Sequence, residues 1–523
     1  LRGSMRGSGD KEGWIRAVSM KMTPPGLKNN TGDVDRLINE MEREFPGPKI
    51  VPELSLTRRA PAFLREHGYD VDALFYEEET RRVMFDLRPS KRESPLLGLA
   101  VDLGSSTVVV RLVNLATGER AGETSFLNPQ ADIGADILTR IHHAAKPGGL
   151  AELQRLVLDG LNSEIREIAQ RKDISPKDIA GMALAGNTTM THLLLGLDPY
   201  WLCREPYIPA INAPPLFKAS ELGITIHPEA PVLIFPNVGS YFGGDLIGGV
   251  MASGMAERED LSILVDVGTN AEVVLGNRDW LAACAGAAGP ALEGGVASMG
   301  MMAGPGVIDK VRIDPASLEV TIRTIGNKPP AGICGSGLID LAAQLYLAGM
   351  IDLRGKFVVE RCGERLRDMD GSHHFVVVRA EDSATGRDLT LAQTDIDALL
   401  RSKAAMFTIL ATITNMLNVS MKDIGRFYIA GTFGTYIDPR SAIAIGMVPD
   451  LPLERYEPLG NTSLEGATEA LVSRKGVKRI REIRDRITYV ELNVNQEFMN
   501  LFSAARFIPH TDKSLFPSVR PMT

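Results

Sequence analysis

The feature that most constrains this chain is a pattern that occurs twice. A short apolar strand runs into an aspartate, a glycine turn carries hydroxyl or amide side chains, and a second strand follows. The first copy is Leu96-Leu-Gly-Leu-Ala-Val-Asp102, then Gly104-Ser-Ser-Thr107 and a strand to Leu115. The second comes about 160 residues later as Ser262-Ile-Leu-Val-Asp266, Gly268-Thr-Asn270 and Ala271-Glu-Val-Val-Leu275. That period is too long for a solenoid and marks the duplication of a domain. Helical segments alternate with short strands around each copy, as at Leu150–Gln170 and Thr394–Leu417. The expectation is an α/β fold with two similar lobes and a cleft between them.

Ahead of the duplicated part, apolar residues recur at helical spacing over Asp33–Phe45, and a second helix is expected over Leu56–His67. Strands are expected near Val71–Tyr76 and Arg82–Leu87. Together they make a small α/β domain over 31–90, closed by the polar linker Arg88–Pro95. Residues 1–30 carry no sustained period and read as a vector-derived leader and a linker remnant, with no fold assigned. The first lobe is expected over 96–261 and 436–509, and the second over 262–435.

Each hairpin suits a phosphate. Glycine lets the backbone N–H groups approach an anion, and the neighbouring hydroxyls add donors. Gly104, Ser105, Ser106 and Thr107 would contact phosphates from the first lobe, and Gly268, Thr269 and Asn270 from the second. Asp102 and Asp266 would stand on the metal side, because Mg²⁺ needs only one or two carboxylates besides phosphate oxygens and water. A third element, Tyr428-Ile-Ala-Gly-Thr-Phe-Gly434, is a strand ending in glycines before a helix expected near Asp438-Pro439. Gly431 and Gly434 would flank a nucleoside there, or simply let strand and helix pack closely.

Composition narrows the partners. The chain holds 57 Lys+Arg against 65 Asp+Glu, a formal charge of -8, so no basic footprint for nucleic acid is present. The most apolar stretch, Val232–Val250, is broken by Pro236, Asp245 and several glycines, and no membrane span is expected. A cytoplasmic location follows. Cys203, Cys284, Cys334 and Cys362 lie far apart without a CxxC pair. They read as isolated reduced thiols or, failing that, as ligands of a cluster shared between two subunits.

In order, Asp102-Leu-Gly-Ser, Ala185-Gly-Asn-Thr-Thr-Met190, Asp266-Val-Gly-Thr-Asn270, Gly332-Ile-Cys-Gly-Ser-Gly337 and Ala430-Gly-Thr-Phe-Gly434 resemble the superfamily of acetate and sugar kinases, heat-shock chaperone ATPases and actin. Asn128-Pro-Gln130, Gly134-Ala-Asp136, His192, Ala287-Ala-Gly-Pro-Ala291 and Leu338-Ile-Asp340 narrow the resemblance to ATP-dependent reductive activators of corrinoid proteins. The resemblance spans roughly Asp33 to Pro509 and implies an actin-like pair of ribonuclease H-like lobes. It also implies ATP and Mg²⁺ as ligands and a corrinoid protein as partner, its cobalt returned from Co(II) to Co(I). Such activators receive electrons through an iron-sulfur domain. This chain shows no clustered cysteines, so a [2Fe-2S] group is expected on a domain missing from it, or else a separate electron donor. The small domain would position that donor or support a homodimer.

By the same motif match Asn187 and Thr188 would line the cleft from one lobe and Gly335, Ser336 and Gly337 from the other, or else these turns pack a hinge. Asp245 and Glu272 are candidates for the base that orients the attacking water, or are turn formers. The segment Glu293–Gly306 is dense in Gly and Met. It reads either as core packing or as a loop facing the partner, with Ser298 its only hydroxyl. The adjacent pairs His142/His143 and His373/His374 point in different directions and read as surface or packing residues. The rival functions are a small-molecule kinase of the superfamily, a 2-hydroxyacyl-CoA dehydratase-type activator and a non-redox nucleotide-dependent scaffold.

Overall fold

The computed structural model describes residues 13–90, 94–268, 270–287, 297–369, 371–492 and 496–522. The chain divides into two compact units, one of 1–252 with 463–485, the other of 253–462 with 486–523.

The first unit begins with a small layered domain: β1 (Ile15–Lys21), α1 (Asp33–Glu44), β2 (Lys49–Pro52), α2 (Leu54–Glu66), β3 (Asp70–Glu77) and β4 (Arg81–Pro89). Its sheet has the order β1-β3-β4-β2, with β2 parallel to β4 and the other pairs antiparallel. Leu37 and Met41 of α1 and Leu56 and Leu64 of α2 close one face against Val71, Ala73 and Phe75. β1 corrects the reading of residues 1–30 as a tail without a fold. Val18, Met20 and Met22 alternate onto the core as a strand requires, but Ser19 and Lys21 between them dilute the signal over so short a run.

The same domain is fixed to the larger part of its unit. The Trp14 indole N–H donates to Ala470 O at 2.9 Å, and Lys218 Nζ lies 2.6 Å from Glu53. Gly181 leaves room for the Ile15 side chain, since a Cβ there would stand 2.2 Å from Ile15 Cδ1 and push that side chain aside.

The main sheet of the first unit uses β5 (Leu97–Leu103), β6 (Thr107–Asn114), β7 (Arg120–Leu127), β8 (Ile179–Gly186), β9 (Phe217–Lys218) and β10 (Pro231–Ile234). Between and after them come α3 (Ile137–Ala144), α4 (Gly149–Arg171), α5 (Thr188–Leu195) and α6 (Gly244–Ser253). The order is β7-β6-β5-β8-β10-β9. Leu153, Val157, Leu161 and Ile165, spaced along α4 at helical intervals, bury against Leu99, Val101 and Val110.

The second unit holds β11 (Ser262–Val267), β12 (Asn270–Gly276), β13 (Leu281–Ala287), β14 (Val307–Ile313), β15 (Val320–Thr324), β16 (Gly332–Ile333), α7 (Gly335–Leu347) and α8 (Val359–Cys362). Then follow β17 (Leu366–Met369), β18 (Ser372–Val378), β19 (Leu389–Ala392), α9 (Gln393–Met416), β20 (Arg426–Ala430), α10 (Gly431–Tyr436), α11 (Pro439–Ala444) and β21 (Tyr456–Gly460). The chain returns to the first unit for α12 (Thr462–Val472) and α13 (Arg474–Arg486), and ends in the second with β22 (Ile487–Tyr489) and α14 (Gln496–Ala505). Thus of 436–509, expected whole in the first lobe, only 463–485 joins it. β21 and β22 stay with the second sheet because their backbones pair there, β21 with β20 and β22 with β13.

The main sheet of the second unit runs β21-β20-β11-β12-β13-β22. Five strands reproduce the first sheet: three antiparallel neighbours, β11, β12 and β13, answer to β5, β6 and β7, and parallel β20 and β21 answer to β8 and β10. The repeated hairpin is therefore the visible part of a repeated sheet. The helix expected near Asp438 exists as α11, its first turn capped by the Asp438 carboxylate accepting from Arg440 N at 3.0 Å. An earlier short helix, α10, starts directly at Gly431.

Candidate functional site

In the first unit the predicted residues collect at the carboxyl ends of parallel strands, where open α/β sheets bind ligands. Asp102 pairs with Ala185 and Leu103 with Gly186 across β5 and β8. The hairpin is tight: a Cβ on Gly104 would lie 2.3 Å from Thr107 O. Ser106 is exposed, and Gly104, Ser105 and Thr107 are half-buried. Asn187 caps α5, its side-chain oxygen accepting from Met190 N at 2.9 Å. Thr188 is buried, with its hydroxyl donating to Gly239 O at 3.4 Å. Asp245 sits in the first turn of α6, its Oδ1 accepting from Leu246 N at 2.9 Å. Gly243 brings this turn against the previous one, since a Cβ there would stand 2.4 Å from Asn187 Cα and 2.6 Å from Asp245 Oδ1. The approach of the two turns is a signal that sequence reading missed, although the Gly243-Gly244 pair before a helix carries it.

In the second unit Asp266 stands between Glu272 on β12 and Ala430 on β20. Directly opposed residues share a sheet face, so the Asp266 and Glu272 carboxylates lie on one side. Gly431, at φ +79°, follows at once, and a Cβ there would come within 3.0 Å of Asp266 Oδ1. Gly434 packs α10 on the strand end, its missing Cβ 2.2 Å from Ile429 O. The hairpin between them is closed by Gly268 N donating to Asn270 O at 2.9 Å. Thr269 lies outside the described residues. The two Ala-Gly steps, Ala185-Gly186 and Ala430-Gly431, occupy equivalent positions beside the two aspartates.

Gly335, Ser336 and Gly337 form the first turn of α7 and are all buried. Gly337 has a packing reason to be glycine, because a Cβ would stand 2.4 Å from Ile308 O. Asp340, one turn on, accepts from Val311 N at 2.7 Å and from the Ser441 hydroxyl, tying α7 to β14 and α11. Burial pushes its carboxyl above the usual range. Ser298 is exposed, with its hydroxyl 3.4 Å from Thr390 O. Of the methionines nearby, Met299 enters the core, and Met301 and Met302 are exposed. The described part of that segment is thus packed at Met299 and exposed at Met301 and Met302, and 288–296 lie outside the described residues.

Three of the four cysteines, Cys284, Cys334 and Cys362, are buried, and Cys203 is half-buried. Burial pushes the Cys284 thiol up to about 12 and the Cys362 thiol up to about 11, so neither is a ready thiolate. Cys334 is buried with its thiol on Ile308 O and Ser336 Oγ. Among the described residues no group of three or more His, Cys, Asp or Glu side chains is gathered as for a metal. His143 bonds Glu152 at 2.9 Å, and His374 lies 3.4 Å from the Thr390 hydroxyl. No described helix is long and apolar enough to cross a membrane.

Three family models match consecutive stretches of the chain: the RACo linker region over 13–94, the RACo middle region over 97–258, and the C-terminal domain of RACo, the ASKHA domain, over 260–520. The corrinoid activation enzyme RamQ of Eubacterium limosum is 30% identical over 499 residues, covering 93% of this chain and 82% of that protein. The chain belongs to the RACo family of ASKHA-type reductive activators. A solved structure described as a reductive activator for corrinoid, iron-sulfur protein superposes with a TM-score of 0.91 at 38% identity, covering 99% of this chain and 82% of the other. A [Co(II) methylated amine-specific corrinoid protein] reductase of Methanosarcina barkeri is 22% identical over 440 residues, covering 78% of this chain and 76% of that protein. The RACo linker model includes β1 and so agrees with the corrected start of the fold.

Proposed function

We propose that this chain couples ATP hydrolysis to the one-electron reduction of an inactive Co(II) corrinoid protein to Co(I). The observation that carries this is the family membership over nearly the whole chain, joined to two equivalent hairpins at the ends of equivalent strands. On this reading Gly104, Ser105, Ser106 and Thr107 are the phosphate contacts of the first hairpin, and Gly268, Thr269 and Asn270 those of the second. Asn187, Thr188, Gly335, Ser336, Gly337, Gly431 and Gly434 shape the surroundings of the nucleotide. One electron passes from a low-potential donor to cobalt while ATP and water become ADP and phosphate. A nucleotide biases this reaction only by binding one conformational state of the complex more tightly than another.

The acidic residues divide between two tasks. Asp266 and Glu272 oppose each other across β11 and β12 and so present two carboxylates on one face of the sheet. With Gly431 leaving room beside Asp266 Oδ1, the pair suits Mg²⁺, which would neutralise phosphate charge; Asp102 is the equivalent group of the first hairpin. Asp245, in the first turn of α6 beside the Asn187 turn, is the better placed carboxylate for orienting water. The electron enters through a donor that is not built from these cysteines, either a [2Fe-2S] domain outside this chain or a separate protein.

The exposed Met301 and Met302, with Ser298, form the face offered to the corrinoid protein. Flexible methionine surfaces adapt to a partner at little cost. Adding a Co(II) corrinoid protein is expected to stimulate ATP turnover, and the double variant Met301→Ser, Met302→Ser is expected to lose that stimulation while basal turnover and ATP affinity stay unchanged. Stimulation equal to the parent's would place docking elsewhere. Stimulation by a sugar or carboxylate without any protein partner would favour a kinase.

A further inference from the structure

The first hairpin is held from beneath by a group that its chemistry has not yet used. Gly104 O accepts from Asn128 Nδ2 at 3.0 Å, Ser105 O from Arg140 Nη2 at 2.7 Å, and Ser106 O from Asn128 N at 2.9 Å. In a trans peptide the carbonyl and the following N–H point in opposite directions. Holding the carbonyls of Gly104 and Ser105 inward therefore turns the N–H groups of Ser105 and Ser106 outward, where an anion meets them.

Arg140 does more than hold one carbonyl. It lies on α3 and is fully buried. Its Nε donates to Gly134 O at 2.8 Å, and its Nη1 reaches Gln130 Oε1 and Met190 Sδ, each at 3.3 Å. Met190 is the residue whose N–H is capped by Asn187, so one guanidinium sets the hairpin and the start of α5 in register. Every one of these hydrogen-bond partners is neutral, and among the described residues no carboxylate forms an ion pair with Arg140; the Asp136 carboxylate acts on it only at longer range. Arginine keeps its proton even when buried, and a buried charge so weakly compensated is costly unless a further anion comes near. The surrounding segment is shaped to hold this geometry. Gly134 has no room for a Cβ beside Thr139, and Asp136 caps α3 by accepting from Thr139 N at 2.9 Å.

We infer that Arg140 is a positioning residue for the nucleotide phosphates, fixing the hairpin N–H groups through Ser105 O and supplying from below a positive charge that a bound polyphosphate compensates. Asn128 is its partner in the first of these tasks. The inference rests on the reading of Gly104–Thr107 as a phosphate hairpin, and gives the Asn128–Asp136 stretch and Met190 a shared purpose.

The test is calorimetric titration of the full chain with ATP, ADP and adenosine in the presence of Mg²⁺. Arg140→Met is expected to weaken ATP and ADP by about tenfold to a hundredfold while adenosine stays within about twofold. Arg140→Lys, which keeps the charge but lacks the fork, is expected to recover part of the loss. ATP affinity unchanged in Arg140→Met, or an equal loss for all three ligands, overturns the inference. If Arg140→Met does not fold, by near-ultraviolet circular dichroism, Arg140→Lys and Asn128→Ala carry the same comparison: a phosphate-selective loss supports the inference, and an unchanged ratio of ATP to adenosine affinity defeats it. Gly104→Val, titrated alongside, separates the two levels. If that variant binds ATP like the parent, the hairpin reading itself falls; if it loses ATP and the Arg140 variants do not, only the role of Arg140 falls.

Discussion

Asp245→Asn is expected to lower ATP turnover by about a hundredfold or more while leaving ATP affinity within a few-fold of the parent. The carboxylate stands in the first turn of α6, against the Asn187 turn that begins α5, and Gly243 is what permits that approach. Asparagine keeps the size and the acceptor that meets Leu246 N, so the fold and the nucleotide pocket should survive. What disappears is the charge that orients and accepts a proton from water. Phosphate release and nucleotide binding, measured on the same preparation, separate the two quantities. Turnover unchanged in Asp245→Asn but lost in Glu272→Gln would transfer the task to Glu272 and leave Asp266 as the lone metal-side group of its hairpin.

Gly104→Val should remove measurable ATP binding altogether, a loss of more than about a hundredfold. A Cβ at this position would be 2.3 Å from Thr107 O, well inside contact distance, and the offending atom is backbone that belongs to the same turn. The hairpin must open to admit it, which breaks the geometry that Asn128 and Arg140 impose on its carbonyls. The substitution lies at a strand end rather than in the core of β5, so thermal unfolding should remain cooperative. Adenine nucleotide affinity close to the parent's, in protein that melts normally, would show that phosphates bind elsewhere.

The architecture was legible where the sequence repeats itself. Asp102 and Asp266 with their glycine turns announce two equivalent sheets, and both sit at equivalent positions in strands of the same order. The long helices were legible too, α4 because it keeps an apolar stripe over its 23 residues and α9 because it is apolar enough to be buried along most of its 24. Other parts were hidden by physics that acts between distant residues. β1 is a strand because β3 pairs with it and Trp14 docks on Ala470, neither of which a short run of mixed residues reveals. The division of 436–509 depends on which sheet each short strand joins, a choice made by partners rather than by the strand. Arg140 is the clearest case at the site. On α3 its sequence context is an ordinary helix beside two histidines, and only the folded chain shows that its fork ends under Ser105. The turn of Gly335–Gly337 shows the reverse: its glycine spacing suggests a ligand loop, yet close packing on β14 already explains Gly337.

The most direct measurement mixes the chain with a Co(II) corrinoid protein and a low-potential reductant, adds Mg-ATP, and follows the visible absorption of Co(I). The account predicts that Co(I) accumulates only when ATP is present and in proportion to ATP hydrolysed, and that Gly104→Val abolishes it. Co(I) that forms equally well without nucleotide, or fails to form with ATP under any supply of electrons, would contradict it.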